Sequence, residues 1–380
     1  MRYVVRIWDN TDNIMAYTTI NNGKTQFFTH LWTGDASADP NNSGYTRQIQ
    51  EAGTFRPGMV WVKARDLSGR SHYLYQEAEG FGANKELVPN GNNAEGDTAN
   101  HNTGANGYVG GTTSTGFSVV SGSSSSNYTN NASTNYAGWT WNGTNSTSNN
   151  TDGTITINSS TNSTSKFTMG LYTGNGSAGS TIGHGLGVKP AAIFIKIRSS
   201  ADNWAVWHHH DSNSTLRLDS NAANQDAKYS GFFNSTQPST SVITLGADNQ
   251  VNANGSSYLM FCWAEVKGYS AFGRYTGNGS ANGPFCYTGF KPAFVFNKNI
   301  SASGNWRMND NQRNPTNVVN LGLNANENAV EFSQNTYDFC SNGFTVRDTG
   351  GANTDGEDYV FWAWAEHPFV SSAGVPTTAK

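Results

Sequence analysis

The sequence predicts an all-β chain built from three tandem β-sandwich modules of jelly-roll or lectin-like type. Two observations carry this: an internal repeat with fixed intervals, and a composition that favours strands and turns over helices. Tyr172-Thr-Gly-Asn-Gly-Ser177 returns unchanged as Tyr275-Thr-Gly-Asn-Gly-Ser280, and Trp32-Thr-Gly-Asp35 is a looser, earlier version. Each is followed by a basic residue, a proline and an apolar stretch that ends in lysine: Arg56-Pro57 to Lys63, Lys189-Pro190 to Lys196, and Lys291-Pro292 to Lys298. An aromatic strand then begins at Tyr73, Trp204 and Trp306, and each module closes on Tyr136 to Trp141, Tyr258 to Trp263 and Tyr359 to Trp364. Ahead of the closing strand stand Gly116-Phe117-Ser-Val119, Val242-Ile-Thr-Leu245 and Gly343-Phe344-Thr-Val346. From proline to closing tryptophan the intervals are 84, 73 and 72 residues, so the first copy carries extra length, which falls in Gly/Ser/Asn-rich loops.

The composition agrees. Charged residues are 13 % and glycines number 42, while strong helix formers are scarce. Aromatic residues reach 12 %, more than a disordered polar chain carries and enough to fill several cores. Met59-Val-Trp-Val-Lys63, Ala192-Ile-Phe-Ile-Lys196 and Ala293-Phe-Val-Phe-Asn297 are short, β-branched and aromatic, and each follows a proline suited to a strand start. Polar clusters such as Ser121 to Asn131 and Asp348 to Glu357 supply turns. The expected modules are 27–150, 151–268 and 269–380, with 1–26 outside the repeat. The stretch Asn142 to Lys166 reads as a linker, or, through Gly153-Thr-Ile-Thr-Ile157, as the first strand of the second module.

A net charge of −4 gives no basic field along which a nucleic-acid backbone would bind. No run of about 20 apolar residues is present to span a bilayer, and Met1-Arg-Tyr-Val-Val-Arg-Ile-Trp-Asp9 lacks the apolar core of a signal peptide, so synthesis in a cytoplasm is expected. Cys262, Cys286 and Cys340 have unrelated spacings and read as buried small apolar residues.

Candidate chemistry is weighed against structural roles. Glu265 and Glu366 follow the closing tryptophan in two modules and resemble a glycosidase pair, but the first module has Gly143 there, which favours a charge at a strand end. His208-His209-His210 with Asp211 has metal-binding residue types, yet no second ligand cluster is spaced to close a site. Asp35 and Asp39, near Asn41 and Asn42, have oxygens for calcium, whereas the other copies carry Asn175 and Asn278 in place of Asp35. Asn142 and Asn145 form glycosylation sequons, which carry no meaning for a chain made and kept in a cytoplasm. The expectation is no catalytic residue, no cofactor and no metal.

Tyr172 to Ser177, Gly183-His-Gly-Leu-Gly-Val-Lys-Pro190, Trp204-Ala-Val-Trp-His208, Phe261 to Ser270, Gly283 to Pro292 and Phe361 to Phe369 resemble a repeat family of marine bacteriophage virion proteins. That family is common in phages of cyanobacteria and of abundant oceanic heterotrophs. The resemblance implies a non-enzymatic structural protein of the virion, a tail fibre or other appendage for host attachment. The alternatives are capsid decoration or a head fibre and, less well supported, a glycan-cleaving tailspike. It implies other virion proteins and a host-surface glycan as partners, and a homotrimer on a shared axis. Tyr3-Val-Val-Arg-Ile-Trp8 and Ile14-Met-Ala-Tyr17 then read as a docking segment, or as an extra strand on the first sandwich. Trp141, Trp263 and Trp364 are expected to be buried, each in its own module's core, so that truncating one does local damage.

Overall fold

Each proline-led apolar stretch becomes a strand paired with the closing strand of its own repeat. The computed structural model describes residues 18–35, 45–124 and 127–368. The first repeat supplies β1 (Phe27–Thr33), β2 (Thr46–Gln50), β3 (Pro57–Ala64), β4 (Tyr73–Gln76), β5 (Tyr108–Thr113), β6 (Gly116–Val120) and β7 (Asn135–Asn142). The second supplies β8 (Ser148–Asn150), β9 (Ile157–Asn162), β10 (Phe167–Thr173), β11 (Thr181–Gly183), β12 (Ala192–Ile197), β13 (Ala205–His208), β14 (Val242–Thr244) and β15 (Ser257–Trp263). The third supplies β16 (Ser270–Thr276), β17 (Phe285–Tyr287), β18 (Phe290–Asn299), β19 (Arg307–Asp310), β20 (Val319–Asn324), β21 (Phe332–Cys340), β22 (Gly343–Val346) and β23 (Asp358–Pro368). The fold is nearly all β, with 42 % of residues in strands and 6 % in helices, and the strand ladders among the described residues are antiparallel.

One strand order recurs three times: β1-β7-β3-β4, β10-β15-β12-β13 and β16-β23-β18-β19. Around it the repeats differ. In the first, β2-β6-β5 form a separate sheet; in the second, β11 pairs with β14; in the third, β20 to β22 and β17 continue the main sheet to eight strands. A helix, α1 (Thr103–Asn106), lies in the long loop of the first repeat, whereas α2 (Asp226–Phe233) and α3 (Asn249–Asn252) fill the second, where Phe232, Phe233 and Val251 are buried in the local core. The Asn142 to Lys166 stretch is no free linker: β8 and β9 extend the second sheet beyond β10.

The register corrects one sequence alignment. Trp61, Phe194 and Phe296 lie opposite Leu74, Val206 and Met308, so the partner of Trp204 and Trp306 in the first repeat is His72, not Tyr73. These three residues close the molecule into a ring. Trp204 Nε1 donates to Val88 O at 3.1 Å, in the repeat before it, and Trp306 Nε1 to Arg217 O at 2.9 Å. His72 Nδ1 accepts from Trp61 Nε1 at 2.9 Å, which leaves Nε2 as the donor to Asn324 O at 3.0 Å, in the third repeat. Backbone bonds repeat the pattern, from Asp202 N to Asn92 O, Gly304 N to Asn221 O and Gly69 N to Asn328 O. Repeat two thus binds one, three binds two, and one binds three.

The ring has a shared centre. Side chains alternate across a strand, so Val60, Ile193 and their neighbours face local cores while Trp61, Phe194 and Phe296 face the axis. One continuous apolar cluster there takes Trp61, Trp139 and Trp141 from the first repeat, Phe194, Phe261 and Trp263 from the second, and Phe296, Trp362 and Trp364 from the third. Trp141 lies 5.4 Å from Trp364, ring to ring, and Trp263 6.2 Å from Trp364. Trp141, Trp263 and Trp364 are buried, as the sequence suggests. They are not in separate cores, because each strand of the repeat has two apolar faces and a single local layer covers only one. Residues 18–26 join this arrangement: Ile20 is in the central core and Gly23 packs against the Ala365 carbonyl of β23. Tyr3 to Trp8 and Ile14 to Tyr17 lie outside the described residues.

The recurring loop motif, Tyr172 to Ser177 and Tyr275 to Ser280, has a structural reason. Buried Asn252 accepts from Asn175 N at 2.9 Å and donates to Ser177 O at 3.0 Å, and Asn353 treats Asn278 and Ser280 in the same way. Gly176 and Gly279 between them have φ of 73° and 64°, which glycine adopts without steric cost.

Lys63, Lys196 and Lys298 are fully buried at matched positions and donate to the carbonyls of Ala64, Ile197 and Asn299 at 2.6, 2.8 and 2.7 Å. Burial depresses all three amines, Lys63 to about 7 and Lys196 and Lys298 to about 8. Between those values and the ordinary lysine range the unfolded chain binds more protons than the folded one, so stability rises with pH there. Urea midpoints should therefore increase from pH 7 to pH 9, and Lys196→Met should flatten the rise. An unchanged slope in that variant would show that Lys196 is charged in the fold.

Candidate functional site

The residues singled out in the sequence are held by partners of their own. Glu265 Oε1 accepts from Phe272 N at 3.0 Å, and Glu366 pairs with Lys291 at 2.7 Å. His208 is buried at the seam between the second and third repeats, with Nε2 at 3.3 Å from Phe361 O, while His209 Nε2 lies 2.8 Å from Phe272 O and Asp211 accepts from Asn224 Nδ2 at 3.2 Å. Burial and the two neighbouring imidazoles hold His208 well below the usual histidine range. Asp35 meets Arg47 at 3.1 Å and Asn130 Nδ2 at 3.0 Å; Asp39, Asn41 and Asn42 lie outside the described residues. Among the described residues no group of three or more His, Cys, Asp or Glu is arranged to hold a metal ion. Cys262 and Cys286 are buried and Cys340 is half-buried, all as free thiols.

A different place stands out. In β17, Cys286 points into the core while Phe285 and Tyr287 point outward, 49 % and 64 % exposed. Alternate residues of one strand lie about 6.6 Å apart, so the two rings form a ledge on one face. Phe285 pairs with Thr345 and Tyr287 with Gly343, and a Cβ at Gly343 would meet the Phe285 ring at 2.9 Å. Beyond the rings, the same face carries Thr345 and Asp338, and Arg347 Nε binds Asp338 Oδ2 at 2.6 Å. Among the described residues only β22 pairs with β17, which there forms an edge of the sheet. Pro284 just before it has no amide N–H, and the strand is three residues long, so it is a poor template for strand addition.

A family model for a domain of unknown function, DUF7483, matches residues 24–368. The chain belongs to the DUF7483 family. No curated protein and no solved structure matches it. The DUF7483 match runs from just before β1 to the end of β23, so the family unit contains all three repeats and hence the whole ring. Within this DUF7483 chain the repeats serve as internal references for one another. Ile49, Ile182 and Cys286 occupy the same inward position, opposite Phe117, Ile243 and Phe344. The two flanking outward positions are Gln48 and Gln50 in the first repeat, Thr181 and Gly183 in the second, and Phe285 and Tyr287 in the third. In the second repeat a side chain at Gly183 would strike Asn150, so that position is covered. Aromatic rings stand on this strand in the third repeat alone.

Proposed function

We propose that the chain is a non-enzymatic surface protein of a bacteriophage virion, built of three β-sandwich modules and used for host attachment through the third. The observation that supports attachment is the Phe285 and Tyr287 ledge, because the fold does not need it: two repeats form the same strand with polar or minimal residues outward. Two neighbouring rings left about half or more in water form an apolar patch on an otherwise polar face, which suits a surface kept for a partner. The virion setting rests on the resemblance of the repeat motifs to marine phage structural proteins. Gold-labelled antibody against the chain should mark the tails of virions in a lysate. Unlabelled virions would overturn the reading.

The ring supports a second placement, capsid decoration, since three similar sheets about one axis suit a threefold lattice position; label over the head would select it. It also bears on assembly. The seams between the repeats are closed within one chain, so they are not the surfaces of the trimer anticipated from the sequence; sedimentation checks that trimer, and a monomer would overturn it. A trimer would place a further interface on the outside of the ring.

A further inference from the structure

We infer that the ledge binds an uncharged saccharide chain, laid along β17 with one sugar ring on Phe285 and the next on Tyr287. This rests on the reading of the ledge as the attachment surface and names its ligand. The apolar C–H face of a pyranose carries slight positive charge and packs on the negative face of an aromatic ring. Two rings on alternate residues of a strand, whose Cα atoms stand about 6.6 Å apart, offer apolar surface in series. Tyr287 adds a hydroxyl at the ring tip, and Thr345 on the neighbouring strand adds another, both able to donate to or accept from sugar hydroxyls.

Charge separates this ligand from its competitors. Among the described residues the cation on this face is Arg347, which is bound to Asp338 at 2.6 Å and also donates to Ala281 O at 3.1 Å, so its charge is already paired. Nucleobases would also stack on the rings, but binding of single strands needs a basic groove to follow the backbone, and this chain is net negative. An added β-strand from a second copy would need the backbone edge, which Pro284 and the short strand spoil. A ligand that uses ring faces and hydroxyls, and neither charge nor edge hydrogen bonds, remains.

The test is binding of the full chain to immobilised neutral oligosaccharides, cello-, malto- and chito-hexaose, beside heparin and an oligo-dT strand, at low and high salt. The expected result is binding to at least one neutral chain that salt does not weaken. Tyr287→Ala should weaken it roughly tenfold, the loss of one aromatic stack. Tyr287→Phe should retain most of it, and Gln48→Ala, on the matching strand of the first repeat, should change nothing. Equal thermal stability of the wild type and Tyr287→Ala shows that the loss is not unfolding. Salt-sensitive binding to heparin or oligo-dT alone, neutral binding indifferent to Tyr287→Ala, binding to none of the probes, or self-association abolished by Phe285→Ala would each overturn the ligand class. Tail labelling on virions is independent of all four, so the attachment reading can survive a failure here.

Discussion

Trp263→Ala should destabilise the whole chain by about 3 to 5 kcal/mol and shift one calorimetric transition rather than one of three. The Trp263 ring lies 4.9 Å from Phe167 and 5.4 Å from Phe194 in its own repeat, and 6.2 Å from Trp364 in the third. Trp364 in turn lies 5.4 Å from Trp141 in the first. The central core is already closely filled, with a residual void of about 20 Å³, so a truncation there leaves a cavity bordered by all three repeats. Trp207→Ala is the matched control. That ring is equally buried but belongs to the local core of the second repeat, so its removal should cost a similar energy while touching one repeat directly. Three resolved transitions, with only the second moved by Trp263→Ala, would mean that the ring does not melt as a unit.

The strands and the closing tryptophans were legible because they are properties of residues along the chain: a proline, an alternation, a fixed interval. Ring closure was not. Its donors are side chains, Trp204, Trp306 and His72, but its acceptors are the carbonyls of Val88, Arg217 and Asn324, and a carbonyl leaves no mark on the sequence. His72 hid the first seam further, since an imidazole standing for an indole breaks the aromatic pattern and moves attention to Tyr73. The shared core was obscured for a related reason: Met59-Val-Trp-Val reads as a strand buried on both faces, but nothing in it says whether the second face meets its own module or another. The ledge could have been found by aligning Thr181-Ile-Gly183 with Phe285-Cys-Tyr287. Phe-Cys-Tyr alone reads as an ordinary apolar strand, because burial of the middle residue, and exposure of its neighbours, is decided by the pairing with β22.

Arg313→Met should be nearly as damaging as the core truncation, about 3 to 5 kcal/mol, because it strands a buried carboxylate. Arg313 is fully buried at the seam between the third and first repeats. Its Nε binds Asp310 Oδ2 at 2.6 Å, its Nη1 binds Glu331 Oε1 at 3.0 Å and its Nη2 donates to Met308 O at 2.8 Å. The guanidinium also lies over the Trp139 ring at 5.4 Å, and Trp139 Nε1 donates to Asp310 Oδ2 at 3.0 Å. Glu331 receives Arg65 from the first repeat at 2.9 Å, so one cation ties together groups on both sides of the seam. Methionine fills similar volume without charge, which leaves Asp310, itself fully buried, with the indole and backbone N–H groups but no cation. Asp310→Asn in the same chain removes that stranded charge and keeps an oxygen for Trp139. The double variant should therefore be more stable than Arg313→Met alone, and the two single effects should fail to add. Urea midpoints of the four chains check this. Additive effects, or an Arg313→Met chain as stable as the wild type, would show that the network is not what holds the third repeat to the first.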